Sequence, residues 1–204
     1  MKQAEHFDAI RSERSTLGAP AAPRTNAAHP LQIASIDPGE GSGKLGVTIC
    51  PGKQGDSVFG APWDRDLEQD LDVIRDWGAA MIITLVEVHE LKMLGVPDLG
   101  HQVHERGIEW RHLPIADMQA PGSTFNAVWP SVSLEIQDLL RHGQRVLVHC
   151  RGGLGRAGTV AACVLIDCGV APGAAIALVR AARKGAIETS SQERYVLGYR
   201  APQP

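Results

Sequence analysis

Aromatic residues and cysteines are scarce in this 204-residue chain, which contains three Phe, four Trp, two Tyr and four Cys. With so few aromatic side chains, the hydrophobic core has to be built mainly from aliphatic residues. The cysteines are also too few for the disulfide framework that holds many small secreted domains together. These shortages favour a protein with reduced thiols and an aliphatic core, and they predict a cytoplasmic location. The four thiols belong to Cys50, Cys150, Cys163 and Cys168.

The chain also lacks an excess of positive charge and any long apolar run near its start. Lys and Arg number 20 against 23 Asp and Glu, so the net charge is −3 and no nucleic-acid partner is expected. Residues 1–28 mix acidic and basic side chains and contain no apolar segment typical of a signal peptide or a membrane span. We interpret residues 1–28 as a disordered tail and residues 29–204 as a single domain without a membrane partner.

What the sequence does contain, from Leu31 onward, is a regular alternation of strand and helix patterns. Asp64 is the expected N-cap of the first helix, and Ser190 with Glu193 the expected capping box of the last one. The alternation predicts an α/β fold with a central, mostly parallel sheet flanked by helices. Strands are predicted at 31–36, 45–50, 81–86, 109–115 and 145–149, and helices from 67, at 98–105, 131–141, 156–168, 172–184 and about 191–199.

One predicted strand-to-helix junction, residues 149–159, concentrates the residues that carry chemistry. Five residues separate Cys150 from Arg156, and several of them are glycines that permit a tight loop. Such a loop directs backbone N–H groups inward at a helix N-terminus, which is a favourable site for an anion. The same amides and the Arg156 guanidinium would stabilise a thiolate on Cys150. The segment therefore predicts a phosphate-binding loop with a nucleophilic cysteine at its base.

These residues resemble the signature loop of the cysteine-dependent protein tyrosine and dual-specificity phosphatases. The resemblance extends to Glu90-Leu with Val-Pro-Asp98, and to Gly107-Ile with His112-x-Pro-Ile-Ala-Asp117. Across roughly residues 31–200, these motifs are most similar to those of the kinase-associated phosphatases. The resemblance implies a dual-specificity phosphatase-like sandwich and a metal-independent reaction on phosphorylated proteins, with no cofactor.

The resemblance also assigns roles to individual residues. Cys150 is the expected nucleophile, and Asp117 is the expected general acid and then general base. Asp98 and Asp64 compete with Asp117 for that role, although both are better explained as helix caps. Phosphate binding is expected from Arg151, Gly152, Gly153, Leu154, Gly155 and Arg156, and supporting roles from His149, Thr159 and Gln192.

Two positions depart from the family pattern. Ala157 stands where most members place Ser or Thr, whose hydroxyl bonds the cysteine sulfur, and this predicts slower breakdown of a cysteinyl-phosphate. Thr159 could compensate in part, or its hydroxyl could bond its own helix backbone. Glu188 replaces the first glutamine of a segment that lies over the pocket in related phosphatases, so either its carboxylate points away or water is positioned differently.

Other interpretations remain open at the level of the sequence. The chain could be a phosphate-binding or trapping module with little turnover, or a phosphatase for a non-protein phosphoester such as a phosphoinositide. Sulfur transfer through a persulfide on Cys150 is a third possibility, against which the combination of Cys150, Arg156 and Asp117 argues. A reversible bridge from Cys50 to Cys150 is conceivable, while the physiological substrate and the oligomeric state are not specified. The acidic residues between 64 and 76 are expected to form a solvated helix face.

Overall fold

A five-stranded sheet forms the centre of the computed structural model, which describes residues 22–57 and 60–202. The strand order is β1-β2-β7-β5-β6; β1 and β2 are antiparallel, and the other neighbours are parallel. A separate two-stranded sheet contains β3 and β4. The strands are β1 (Ala34–Ile36), β2 (Leu45–Thr48), β3 (Gln54–Gly55), β4 (Trp63–Asp64), β5 (Ala79–Thr84), β6 (Glu109–His112) and β7 (Arg145–His149).

Seven helices flank this sheet in the described part of the chain, and the predicted α/β fold with a mostly parallel sheet is confirmed. None of them is long and apolar enough to cross a membrane, as far as residues 22–57 and 60–202 are concerned. The helices are α1 (Leu67–Asp76), α2 (Val88–Met93), α3 (Leu99–Glu105), α4 (Ser123–Arg141), α5 (Gly155–Asp167), α6 (Pro172–Ala182) and α7 (Ser190–Gly198).

The central strand β7 lies between β2 and β5, so both of its edges are paired. Leu147 is opposite Gly46 on one side and Ile82 on the other, and His149 is opposite Thr48 and Thr84. Val146, Leu147 and Val148 are completely buried, as expected for a strand covered on both faces. The pairing brings the carboxyl ends of three parallel strands together at one edge, directly before Cys150.

Several predicted boundaries differ from the structure. Helix α4 begins at Ser123, eight residues before the predicted start, and contains Pro130 within its length. A buried face at helical spacing, which includes Phe125, Trp129 and Val132, holds the chain in a helix across the proline. The short helix α2 was not predicted, and strands β2, β5 and β6 end two or three residues earlier than expected, whereas β1 and β7 end where predicted. The last helix has its capping box at Thr189 and Gln192, one residue before the predicted pair.

The described N-terminal segment packs on the domain earlier than the predicted boundary at residue 29. The Arg24 N–H donates to the Pro62 carbonyl, and the Asn26 amide donates to Asp70 at 2.8 Å. The structured chain therefore begins at or before Arg24, whereas residues 1–21 of the predicted tail lie outside the described residues. Asp66, and not Asp64, caps α1 by accepting the Gln69 N–H.

Candidate active site

The loop that follows β7 places Cys150 at the carboxyl edge of the sheet. Cys150 is buried, and the chain turns through residues 151–154 before α5 begins at Gly155. At Gly153 the turn requires glycine, because φ is +64° and a Cβ atom there would lie 2.4 Å from the Thr48 carbonyl oxygen. Strand β2 thus packs directly against the loop, and this close approach fixes its shape.

Two basic side chains bind successive carbonyl groups of the loop. Lys53 Nζ donates to the Arg151 carbonyl at 3.3 Å. Arg183 donates to the Gly152 carbonyl through Nη2 at 3.3 Å and to the Gly153 carbonyl through Nε at 3.2 Å. These three bonds occupy the carbonyl groups of residues 151–153 and fix the course of the loop. Sequence reasoning missed both residues, since an isolated Lys or Arg carries no motif.

Arg156 is held by a buried carboxylate from α2. Its Nη1 and Nη2 donate to the two oxygens of Glu90 at 2.5 and 2.9 Å, and Nη1 also donates to the Ile115 carbonyl at 3.0 Å. Burial alone would lower the pKa of Arg156, but hydrogen bonding to Glu90 and nearby negative charges, that of Cys150 among them, raise it. Burial alone would raise the pKa of Glu90, but Arg156 lowers it. The guanidinium is therefore charged and fixed beside Cys150.

Asp117 lies at the mouth of this arrangement, as its predicted role requires. Its Oδ1 is 2.9 Å from Arg156 Nη2, yet 52% of its side chain is exposed. The next residue, Met118, has a φ of +60° and donates its N–H to the Asp117 carboxylate. A non-glycine residue in this conformation indicates a locally constrained loop. The Asp117 carboxylate thus pairs with the buried guanidinium while half of its side chain stays in contact with solvent.

The predicted supporting residue His149 is completely buried and takes part in a chain of hydrogen bonds. Its Nε2 is 2.7 Å from Thr84 Oγ1, which accepts the indole N–H of Trp110 at 2.8 Å. Because an indole N–H can only donate, the Thr84 hydroxyl proton is available to a neutral imidazole. Burial lowers the pKa of His149 to about 3. His149 is therefore neutral, and its Nε2 contact with Thr84 ties the end of β7 to the end of β5.

Ala157, the first departure from the family pattern, and Thr159, two residues further along α5, both have defined surroundings. Ala157 is buried, and the Thr159 hydroxyl donates to the Gly155 carbonyl at 2.8 Å within its own helix. Of the two possibilities for Thr159, the structure thus contains the bond to the helix backbone. Its hydroxyl proton does not serve the sulfur of Cys150.

Gln192 is buried and connects three segments around the loop. Its Oε1 accepts the N–H groups of Glu188 and Thr189, and its Nε2 donates to the Gln119 carbonyl at 3.1 Å. The Glu188 carboxylate does not point away: Oε2 accepts the Gly155 N–H at 2.7 Å. Glu188 therefore contacts the loop itself, which sequence reasoning had left open.

A cleft of about 220 Å³ opens above the loop. Asp117 lines this cleft, whereas Asp64 lies in β4 and Asp98 at the start of α3. The residues that line the cleft are Lys53, Asp56, Ser57, Asp117, Met118, Arg151, Gly152 and Glu188.

Cys50 is not among them. It is buried, burial raises the pKa of its thiol, and its sulfur lies 3.7 Å from the Pro51 carbonyl oxygen.

Comparison with known proteins gives matches across most of the chain. A family model described as the Swiss Army Knife protein, DSP-PTPase phosphatase domain, matches residues 64–196. Cyclin-dependent kinase inhibitor 3 from Sus scrofa is 32% identical over 159 residues, which cover 76% of this chain and 71% of the relative. The matched region contains the loop, Asp117 and Glu90.

Solved structures also match over most of the chain. The crystal structure of kinase-associated phosphatase, with its catalytic-site cysteine replaced by serine, has a TM-score of 0.71 and 29% identity, covering 82% of this chain and 92% of that one. The active form of Tk-PTP has a TM-score of 0.60 and 28% identity, covering 80% and 93%. Both sequence and fold therefore place the chain among proteins with a phosphatase architecture.

Proposed function

The chain belongs to the DSP-PTPase family of phosphoric monoester hydrolases, and we propose that it hydrolyses phosphoprotein monoesters through a cysteinyl-phosphate on Cys150. The observation that supports this most is the position of Arg156. Buried Glu90 holds its guanidinium beside Cys150, and Asp117 reaches it from the exposed side at 2.9 Å. A nucleophile, an anion clamp and a solvent-accessible acid are thus combined at one loop.

In the first step, the Cys150 thiolate attacks phosphorus, and the bond between phosphorus and the substrate oxygen breaks. In this proposal the backbone N–H groups of residues 151–156 and the Arg156 guanidinium stabilise the charge on the phosphoryl oxygens. Asp117 gives its proton to the departing oxygen, because an alkoxide is a very poor leaving group. The products of this step are the dephosphorylated hydroxyl group and the cysteinyl-phosphate.

In the second step, water attacks phosphorus, and the sulfur–phosphorus bond breaks. Asp117, now ionised, accepts a proton from the water, so inorganic phosphate and the thiolate are formed and the enzyme returns to its starting state. The exposed position of Asp117 supports both roles, since it has to meet the substrate first and water later.

Slow breakdown of the intermediate is part of this proposal. Position 157 carries no hydroxyl, and the hydroxyl of Thr159 is bonded to the Gly155 carbonyl. A hydrogen bond to a charged group is worth roughly 1.5–3 kcal/mol, or about ten- to a hundred-fold in rate if felt fully in the transition state. We expect Ala157→Ser to increase the rate constant for loss of the phosphoenzyme in single-turnover measurements and to raise steady-state turnover. An unchanged or lower rate in both would contradict the role given to Ala157.

A phosphorylated protein is the proposed substrate class, with both phosphotyrosine and phosphoserine or phosphothreonine accepted. The cleft is small and open, and the described residues that line it include no aromatic side chain, so no deep slot for an aromatic ring alone is expected. Relatives named cyclin-dependent kinase inhibitor 3 and kinase-associated phosphatase support a protein substrate.

Hydrolysis of para-nitrophenyl phosphate and of phosphopeptides, with EDTA present, tests the reaction. We expect the wild-type protein to be active, Cys150→Ser to lose activity, and Asp117→Asn to lower kcat by about 10²- to 10⁴-fold. Asp98→Asn is the matched control, because Asp98 is exposed and lies outside the cleft, and it should keep full activity.

Other results would favour the other interpretations. Tight phosphopeptide binding without turnover would identify a binding module, and thiosulfate-dependent activity would identify a sulfur transferase. Preference for a phosphoinositide over phosphopeptides would overturn the proposed substrate class while keeping the reaction.

A further inference from the structure

The Glu188 carboxylate occupies a hydrogen-bond donor that the proposed reaction needs for phosphate. Its Oε2 accepts the Gly155 N–H at 2.7 Å. Gly155 is the first residue of α5 and belongs to the loop between Cys150 and Arg156. An N–H group has one proton and binds one acceptor well, so a phosphoryl oxygen can take this donor only after Glu188 has left it.

The backbone of Glu188 is built to bring the carboxylate to the loop. The preceding residue, Ile187, is buried and has a φ of +59°, a conformation that a β-branched side chain rarely adopts. Arg180 holds the Ile187 carbonyl at 3.2 Å, and the Gln192 side chain holds the Glu188 N–H at 3.0 Å. The main chain is thereby anchored on both sides, whereas the Glu188 side chain is exposed and can swing into solvent.

The Arg156 guanidinium, which binds the phosphoryl group in the proposed reaction, is occupied in a similar way. Asp117 Oδ1 lies 2.9 Å from Arg156 Nη2, so two carboxylates of the protein sit on two donors of the phosphate site. Asp117 is the proposed acid and has to move toward the substrate. Glu188 has no such role in the proposed reaction, and its negative charge opposes an incoming phosphoryl anion at close range.

We propose that Glu188 is an internal ligand of the phosphate-binding loop, which substrate displaces and which replaces the phosphate product after hydrolysis. Glu188 then determines how strongly the loop holds phosphoryl anions, weakening the binding of both substrate and product. A charge-assisted hydrogen bond of this kind corresponds to about ten- to a hundred-fold in affinity. This inference deepens the proposed function and rests on it.

A purely structural role for Glu188 leads to a different expectation. A carboxylate at a helix N-terminus stabilises the helix, so its removal would lower the free energy of unfolding. In that case the affinity for anions would stay the same or fall with the stability of the loop. Anion affinity and thermal stability therefore have to be measured on the same variants.

Isothermal titration calorimetry with tungstate and with inorganic phosphate tests the proposal without turnover. We expect Glu188→Ala and Glu188→Gln to bind both anions about tenfold more tightly than the wild-type protein. Glu188→Asp keeps the charge but shortens the side chain, so a gain smaller than that of Glu188→Ala is expected. Glu135→Gln is the control, because Glu135 is an exposed carboxylate of α4 that pairs with Arg111 and does not line the cleft. Its affinities should equal those of the wild-type protein.

Steady-state kinetics supply a second readout. The inhibition constant for phosphate and the KM should both fall in Glu188→Gln, and kcat should not rise. Unchanged tungstate and phosphate affinity in both Glu188→Ala and Glu188→Gln would overturn the proposal, whatever their stability. Absence of turnover in the wild-type protein, with tighter anion binding in the variants, would instead overturn the proposed function and leave the displacement by Glu188 standing.

Discussion

Among the residues that the structure describes, two arginine–carboxylate pairs are buried, and they differ in what surrounds them. Arg65 and Asp70 are each 1% exposed, and Arg156 and Glu90 are 2% and 3% exposed. In both pairs the guanidinium donates to both carboxylate oxygens. Burial and pairing alone therefore do not distinguish a structural site from a functional one.

The difference lies in the remaining hydrogen bonds of each pair. Arg65 also donates to the His29 carbonyl, and Asp70 accepts the Gly52 N–H and the Asn26 amide, so backbone and side-chain groups of the same domain complete the cluster. Arg156 instead meets Asp117, whose side chain is half exposed and sits on a loop. One guanidinium is surrounded by groups of the packed domain, and the other also meets a half-exposed carboxylate, which we propose a phosphoryl group replaces.

Breaking the Arg156–Glu90 pair at the loop should have the largest effect, on both stability and kcat. Glu90→Gln leaves Arg156 buried without its counter-charge, which costs about 3–5 kcal/mol in the free energy of unfolding. Because misplacement of a binding group by about 1 Å can cost 10²-fold in rate, we also expect kcat per folded molecule to fall by about 10²-fold. Urea unfolding and steady-state kinetics measure the two effects. Normal kcat in the folded variant would refute the positioning role of Glu90.

Breaking the Arg65–Asp70 pair should lower stability and leave kcat unchanged. Asp70→Asn leaves the Arg65 guanidinium unpaired and is expected to cost about 3–5 kcal/mol in the free energy of unfolding. The kcat of the folded fraction, measured below the unfolding transition, should equal that of the wild-type protein. A fall in kcat comparable to that of Glu90→Gln would show that the two pairs are coupled, and the comparison drawn above would fail.

A smaller effect, about 2 kcal/mol between pH 6.5 and 5, concerns the carboxyl edge of the sheet. His149 is neutral in the folded protein because burial lowers its pKa to about 3, whereas an unfolded chain protonates histidine below roughly pH 6.5. The unfolded state then binds more protons, so stability falls as pH falls from 6.5 toward 3, by about 1.4 kcal/mol per pH unit. Glu90 adds to this loss only at lower pH, below its ordinary pKa of 4.5, because its pKa is lowered in the folded protein.

Urea unfolding at pH 7, 6 and 5 measures this dependence. The slope should disappear in His149→Gln, even though that variant is less stable at every pH. His101→Gln, at an exposed helix position, should keep the slope of the wild-type protein. An equal slope in the wild-type protein and His149→Gln would assign the acid sensitivity to other groups.

Prediction from the sequence succeeded where a local pattern carries the information. The alternation of strands and helices predicted the α/β fold, and the loop between Cys150 and Arg156 was placed between a strand and a helix, as observed. The predicted solvated acidic face of α1 was wrong at Asp70, which is buried against Arg65, whereas Asp66, Glu68 and Asp76 are exposed as expected. Asn26 and Gly52, the partners of Asp70, are distant in sequence, so no periodicity could reveal them.

The sequence by itself determined the chemistry available at the loop, since the order of Cys150, the glycines and Arg156 follows from covalent neighbours and backbone freedom. Only the tertiary structure decided which groups meet that loop. Glu90 arrives from α2, Lys53 from the segment after β2, and Glu188 from the segment after α6. The physical reason is that a buried charge needs a partner at a distance of about 3 Å, and chain topology, not sequence spacing, brings such partners together.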